Sequence, residues 1–432
     1  MKRWNLCGLP LLLAVALGNA AAFPAKGQNI NTASGANVLT LDAAIRVALE
    51  NNPEIRVLSA EIASARGEAT TAKTWPNPEV SVSPGFKSER DPSGTTFHGD
   101  FGLEQTFEWP GKRALRRAIA EQNVAARELA LAGFRSQLAI QVRRVYFTLL
   151  TTRDVIALRS QQLTLAKSFV DAARRKVEGG FAPDFEATKA EVEVVAAQKQ
   201  LREAQAQYDA ARVTLNALMG RNPNNPLEIA EMLSDEVRLP NLSMLSAKAL
   251  ALNPAIKIQE AEVERTGLSL KSIRKSRLPD FKIGPNLEYT RDEQIVGFGL
   301  SLPLPLWDKK KGEIATATAE QQKSLAELDK LRREILRDVA IASQNLAAAK
   351  ESLAFYTPAL RDKLKTALDA AAQSYSEGRT SLLLYLESQR SYFDTQADYF
   401  ETLQKLFEAQ AELESSVGVP LNQLSQPSIE SK

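Results

Sequence analysis

Residues Arg113 to Glu178 run for 66 positions (178 − 113 + 1) without a proline and with one glycine, Gly133. Ala, Leu, Arg, Gln, Glu and Lys dominate, all good helix formers. A single helix of that length is roughly 100 Å long at about 1.5 Å per residue. Its apolar residues keep a heptad: Val142, Leu149, Ile156, Leu163, Val170 and Val177 fall seven apart. A second line, Leu138, Val145, Thr152, Arg159, Ala166 and Ala173, is partly small and polar. A strict seven-residue repeat requires neighbouring helices to wind around. On this stretch alone, the chain suits a structural coiled-coil rod.

The remaining composition narrows the choices. The 432 residues suffice for two or three domains. Lys+Arg 54 against Asp+Glu 52 is close to balance, so no nucleic-acid partner is implied. One histidine and one cysteine argue against a metal cage, a catalytic Cys-His pair or a disulfide framework. No nucleotide loop or nucleophile–base pair is visible, so no enzyme and no cofactor are expected. Lys2 and Arg3, the apolar run Leu9–Leu17 and Ala20-Ala21-Ala22 together match a secretory signal peptide over 1–22. Cys7 lies before the apolar run, not after it as a lipoprotein cysteine would. No other stretch reaches 18 consecutive apolar residues, the mark of a membrane-crossing helix.

The chain then repeats itself. After a flexible leader to residue 40, a first unit over 41–220 reads helix, two strands, very long helix, glycine turn, helix. A Pro/Asn-rich linker over 221–240 leads to a second such unit over 241–420 and a polar tail. Asn52-Pro53 recurs as Asn253-Pro254, 201 residues on (253 − 52). Ala120-Glu121 recurs as Ala319-Glu320 and Glu178-Gly179 as Glu377-Gly378, both 199 residues on. Near-constant offsets point to a tandem duplication. The second long helix, 312–377, carries Val339, Leu346, Leu353, Leu360 and Ala367 as its heptad. Pro358 within it is expected to kink it or break a backbone bond.

Four strand-like segments change the class. From Phe97 to Trp109 the odd positions are mostly apolar, while His98, Asp100, Glu104, Thr106 and Glu108 occupy even ones. Val296, Phe298, Leu300, Leu302, Leu304 and Leu306 alternate likewise, as do Phe281, Ile283, Leu287 and Tyr289 and, more weakly, Val80, Val82 and Phe86. Such alternation in an exported chain matches the staves of an outer-membrane β-barrel. Loops at Asp91–Thr96 and Arg291–Glu293 would then face outside. Four strands cannot close a barrel, and an open edge in lipid leaves backbone groups unpaired. The protein must therefore pool strands with other copies of itself. Lys112, Arg113, Arg116 and Arg117 sit where the first strand pair meets its long helix, and Lys309, Lys310 and Lys311 take the equivalent place later. Cations oppose the dipole at a helix start; a girdle against anionic headgroups at the membrane edge gives them a role.

The layout resembles the TolC family of outer-membrane efflux channels. The resemblance rests on Leu41–Ile45 with Ala48–Ile55, on Trp75-Pro76-Asn77-Pro78, on Trp109–Arg113 and on Leu382–Arg390. The Pro110–Arg113 segment, and Leu304–Lys309 with Gly312-Glu313-Ile314, look most like the CzcC-type branch serving heavy-metal cation efflux. The family implies a mainly α fold with a small transmembrane β part. It implies a homotrimer with a 12-stranded β-barrel in the outer membrane of a Gram-negative bacterium and a 12-helix periplasmic α-barrel. Its partners would be a periplasmic adaptor (membrane fusion protein), an inner-membrane pump of the resistance-nodulation-division type and outer-membrane lipid. Multidrug efflux and type I protein secretion are the alternative duties, and a periplasmic adaptor is a competing class.

The resemblance also places candidate residues. The turns at 178–184 and 376–381, with Gly179, Gly180 and Gly378, would close the pore and dock the adaptor. Counted from Gly378, Glu387 matches an acidic gate position and Leu384 falls where a second acid is expected. Tyr375 matches a latch tyrosine, and Glu186 its acidic partner on the other hairpin. Arg379 stands one residue out of register for a latch arginine. In the barrel, His98, Asp100, Glu104 and Glu108 would face the lumen, where the acids either favour cations, keep the wall wet, or pair with Lys282. With no second histidine, His98 is not expected to hold a metal.

Overall fold

The computed structural model describes residues 39–88, 95–229, 241–290 and 293–421. The expected signal peptide, most of the leader, the middles of both loops that join paired strands, most of the linker and the tail lie outside the described residues. The first described elements are two helices, α1 (Leu41–Asn51) and α2 (Pro53–Lys73), followed by strands β1 (Glu79–Ser88) and β2 (Thr95–Phe107). Then come the long helix α3 (Lys112–Glu178) and its return, α4 (Asp184–Leu218). The same order follows with α5 (Leu242–Leu252), α6 (Pro254–Lys275), β3 (Phe281–Thr290), β4 (Gln294–Ser301), α7 (Lys311–Ala354), α8 (Pro358–Ser376) and α9 (Leu382–Val417).

The long proline-free stretch is one helix of 67 residues. Both heptad lines face inward: Val142, Leu149 and Val170 are buried, and so are Thr152, Ala166 and Ala173. Alanines 190, 197, 204 and 211 of α4 are buried seven apart and let that helix lie close against α3.

The second long helix is not continuous. It stops at Ala354 and restarts at Pro358, with Thr357 as N-cap. Proline has no N–H to give to the preceding turn and suits a first helical position. The interruption also shifts the buried line. Val339, Leu346 and Leu353 are buried as the heptad predicts, but Leu360 and Ala367 are exposed. The inward positions become Leu368, Tyr375 and, after the turn, Leu382.

The two Asn-Pro pairs do the same work in each half. Asn52 accepts from the Glu54 N–H at 2.9 Å, capping α2, and its amide donates to the Leu218 carbonyl at 3.0 Å at the end of α4. Asn253 accepts from the Ala255 N–H at 2.9 Å and donates to the Ser416 carbonyl at 2.9 Å near the end of α9. Each asparagine thus starts one helix and ties down the end of another. Beside the second tie, Arg143 donates to both carboxylate oxygens of the buried Glu414 at 2.7 Å.

The strands form one antiparallel sheet in the order β1-β2-β3-β4. Asp100 pairs with Ser83 on one side and Glu288 on the other, and Phe101 with Val82 and Leu287. The register keeps Val80, Val82, Phe101, Leu103, Leu287, Val296, Phe298 and Leu300 on one face, and this apolar face is exposed. β4 ends at Ser301, short of the expected Leu306, because Pro303 and Pro305 cannot donate to a ladder. Among the described residues β1 and β4 each have one neighbour, so both outer edges are free. No helix of the described residues is long and apolar enough to cross a membrane.

Candidate functional site

The helical hairpin turns are built alike. The Phe181 N–H reaches the Lys176 carbonyl at 2.8 Å and the Gly180 N–H reaches Val177 at 2.9 Å. The Arg379 N–H reaches Ser374 at 2.8 Å and the Gly378 N–H reaches Tyr375 at 3.1 Å. This double closure needs a left-handed residue after the helix. Gly180 (φ +71°) and Gly378 (φ +74°) supply it at no steric cost. Gly179 has ordinary helical backbone.

Just inside these turns the two hairpins are fastened together. The Tyr375 hydroxyl donates to Glu186 Oε2 at 2.9 Å, joining α8 to α4. The Lys176 ammonium sits 3.7 Å from the centroid of the Tyr375 ring and donates to the Tyr375 backbone carbonyl, joining α3 to α8. Phe169 packs on Tyr375 at 5.1 Å and stacks on Tyr385 at 4.5 Å between ring centroids. Tyr375 is only 4% exposed. Burial, and then the neighbouring Glu186 carboxylate, push its phenol well above the usual tyrosine range. Burial alone pushes Tyr385 up to about 12.

Tyr375 and Glu186, the pair that the resemblance singles out, are thus hydrogen-bonded across the two hairpins. Arg379 forms its ion pair with Glu377, on its own turn, and does not reach the opposite hairpin. Glu387 and Leu384 lie on the exposed side of α9, beside Leu383, and Leu384 is 52% exposed. A second tie escaped the sequence: Arg390 of α9 pairs with Glu193 of α4. Glu193 lies one heptad beyond Glu186, which is the one signal that marked it (193 − 186 = 7).

The polar face of the sheet carries two charge clusters. Lys282 Nζ reaches Glu79 Oε2 at 2.6 Å and Glu104 Oε2 at 3.7 Å, so the lysine pairs across strands with Glu104 and with Glu79, which sequence inspection passed over. Nearer the other end of β2, His98 lies between two carboxylates, Nε2 at 3.3 Å from Asp100 and Nδ1 at 3.7 Å from Glu288. Glu108 is largely covered and held by Arg116. Several basic-edge residues are likewise engaged. Lys112 binds Asp280 at 2.8 Å, Lys310 binds Glu313 at 2.6 Å, and the Arg113 guanidinium lies 4.1 Å over the Trp75 ring. Lys309 and Lys311 are exposed.

The described residues form helical hairpins joined at their tips and a sheet with one wet and one apolar face. Comparison with known families gives a match to "Outer membrane efflux protein" over residues 44–221 and 245–419, most of the chain. The chain belongs to the outer membrane efflux protein family. The family is one of channels rather than enzymes, and places this protein in the outer membrane of a Gram-negative bacterium with its helices reaching into the periplasm. The chain is 26% identical over 360 residues to the cobalt-zinc-cadmium resistance protein CzcC of Cupriavidus metallidurans, covering 82% of this chain and 84% of that protein. It is 25% identical over 295 residues to the nickel and cobalt resistance protein CnrC of the same organism, covering 67% and 70%. Its fold matches the solved outer-membrane channel OprN with a TM-score of 0.76 at 17% identity, over 88% of this chain and 89% of that one. This outer membrane efflux protein is thus no coiled-coil rod, since its four strands form a sheet.

Proposed function

We propose that this protein is the outer-membrane exit duct of a tripartite efflux system and passively conducts heavy-metal cations to the exterior. The observation that carries the proposal is the four-stranded sheet, apolar and exposed on one face and free at both edges. In lipid each unpaired backbone group costs several kcal/mol. Only edge-to-edge pairing with further copies satisfies β1 and β4 while leaving the apolar face on lipid. Three copies of two duplicated units pool twelve strands (3 × 4) into a barrel and continue as a twelve-helix periplasmic barrel. The polar face, with Glu79, Asp100, Glu104, His98 and Lys282, then lines the lumen.

The energy comes from an inner-membrane pump of the resistance-nodulation-division type, joined through a periplasmic adaptor. The adaptor docks at the turns around Gly179, Gly180 and Gly378. Its binding favours a conformation in which the Tyr375–Glu186 and Arg390–Glu193 ties are released, which shifts a closed–open equilibrium. Glu387 and Leu384 line the narrowest part of the closed tip. Exposed Lys309 and Lys311, with Arg113 on Trp75, meet lipid headgroups at the periplasmic edge. The metal cargo is supported by the names of the cobalt-zinc-cadmium and nickel-cobalt relatives.

Growth of a deletion strain on graded Zn, Cd, Co, Ni, Cu and Ag salts, beside dyes and antibiotics, tests the cargo. Selective metal sensitivity that the gene reverses supports it. Sensitivity to drugs alone transfers the duct to multidrug efflux.

A further inference from the structure

The sheet register places two carboxylates directly opposite one another: Asp100 on β2 pairs with Glu288 on β3, both on the polar face. Like charges in directly opposed cross-strand positions destabilise a sheet. Lys282 does not relieve them, since it lies six residues away along β3 (288 − 282) and is held by Glu79 and Glu104. The group between them is His98, with one ring nitrogen toward each carboxylate. A neutral imidazole has a single N–H, so it can donate to only one carboxylate and turns a lone pair toward the other. A cation beside the ring, facing both carboxylates, would complete the arrangement.

A nitrogen of His98 and an oxygen from each of Asp100 and Glu288 all lie within 4.8 Å of one another. Ligand atoms bound at 2.0–2.2 Å to a transition-metal ion stand about 3–3.6 Å apart. Side-chain rotations of about an ångström, on groups that are partly exposed, close that difference. We propose that His98, Asp100 and Glu288 form a low-affinity binding site for a divalent transition-metal cation on the polar face of the sheet. One imidazole with two carboxylates suits zinc, cobalt, nickel or cadmium better than the all-oxygen sets that magnesium and calcium prefer. Three protein ligands leave positions open to water, and the exposure of the cluster keeps exchange fast. A conducting site needs both properties, since the ion must enter and must also leave. The third donor was hidden from the sequence because Glu288 lies 188 residues after Asp100 (288 − 100) and meets it only through the sheet.

The assignment of this site to cargo in transit rests on the proposed duct; in the trimer it repeats three times around the outward end of the lumen. His98 is the one histidine of the chain, so any imidazole coordination to added metal reports this site. The test is a cobalt(II) titration of the detergent-solubilised protein, purified without a histidine tag. Visible ligand-field absorption and X-ray absorption detect the coordinating nitrogen. One cobalt per chain with one imidazole nitrogen is expected. His98→Ala removes the nitrogen signal and weakens binding at least about tenfold, since even outer-shell changes cost that much. Asp100→Asn and Glu288→Gln weaken binding while keeping the ring, and stand in should His98→Ala fail to assemble. Absence of cobalt binding by the native protein, or undiminished binding by these variants, overturns the site. Bilayer conductance of the same preparations keeps the two claims apart. A pore without cobalt binding overturns only the site, and cobalt binding without a pore overturns only the duct.

Discussion

The Tyr375 hydroxyl and the Glu186 carboxylate meet at 2.9 Å although 189 residues separate them in the chain. The bond joins α8 to α4, so it can persist only while the two helical hairpins stay together at their tips. A hydrogen bond to a charged partner contributes about 1.5–3 kcal/mol. Tyr375→Phe keeps the ring against Phe169 and Tyr385 and removes only that bond. It should raise the open-to-closed ratio by roughly ten- to a hundredfold. Single-channel open probability measures this, and an unchanged value would remove Tyr375 from the latch.

The same tyrosine gives a pH signature. Its phenol is held above the ordinary value of about 10. A raised pKa in the folded protein means that the packing around Tyr375 keeps its full contribution below that ordinary value and loses it as pH rises further. Tyr375 and Tyr385 should ionise late, above the ordinary tyrosine range, in an ultraviolet titration of the native protein. Tyr375→Phe should delete one late-titrating group. Early ionisation of both residues would show that the tip is not packed as described.

Asn253 caps α6 and also holds the Ser416 carbonyl. Asn253→Ala removes a cap worth about 1 kcal/mol and leaves a partly covered acceptor unpaired, a further cost of about 1–3 kcal/mol. Asn253→Asp retains the acceptor that caps α6 and loses only the donor. The apparent thermal midpoint, followed by circular dichroism, should fall in the order native, Asp, Ala. Equal midpoints for the Asp and Ala variants would show that the cap contributes nothing.

Glu387 lies exposed on α9, four residues beyond Leu383 and three beyond Leu384. If it rings the narrow end of the duct, Glu387→Lys should move the reversal potential under a salt gradient toward anion selectivity. An unmoved reversal potential places Glu387 outside the constriction.

Much of the fold was legible because helix periodicity and turn chemistry are local. The proline-free run became α3, Gly180 and Gly378 became left-handed closures, and strand alternation became a two-faced sheet. The shift of the buried line from Leu353 to Leu368 was not legible. A heptad cannot foretell how far the chain rotates across the break that Thr357 and Pro358 impose. Pairings between distant segments were also hidden, except where a family resemblance supplied them, as for Tyr375 with Glu186. Lys282 had a neighbouring strand in view, but Glu79 as its partner required the order β1-β2-β3. Arg379 stood one residue out of register for a latch arginine, and the acid two residues before it, Glu377, is its partner.

The central claim is that copies of this chain pool their open-edged sheets into a transmembrane pore. Planar-bilayer recording of a variant with both tip ties removed, Glu186→Ala with Glu193→Ala, tests it most directly. Discrete, long-lived conductance steps, larger and more frequent than those of the native protein, are predicted. A folded preparation of that variant that inserts into the bilayer and passes no current would contradict the account.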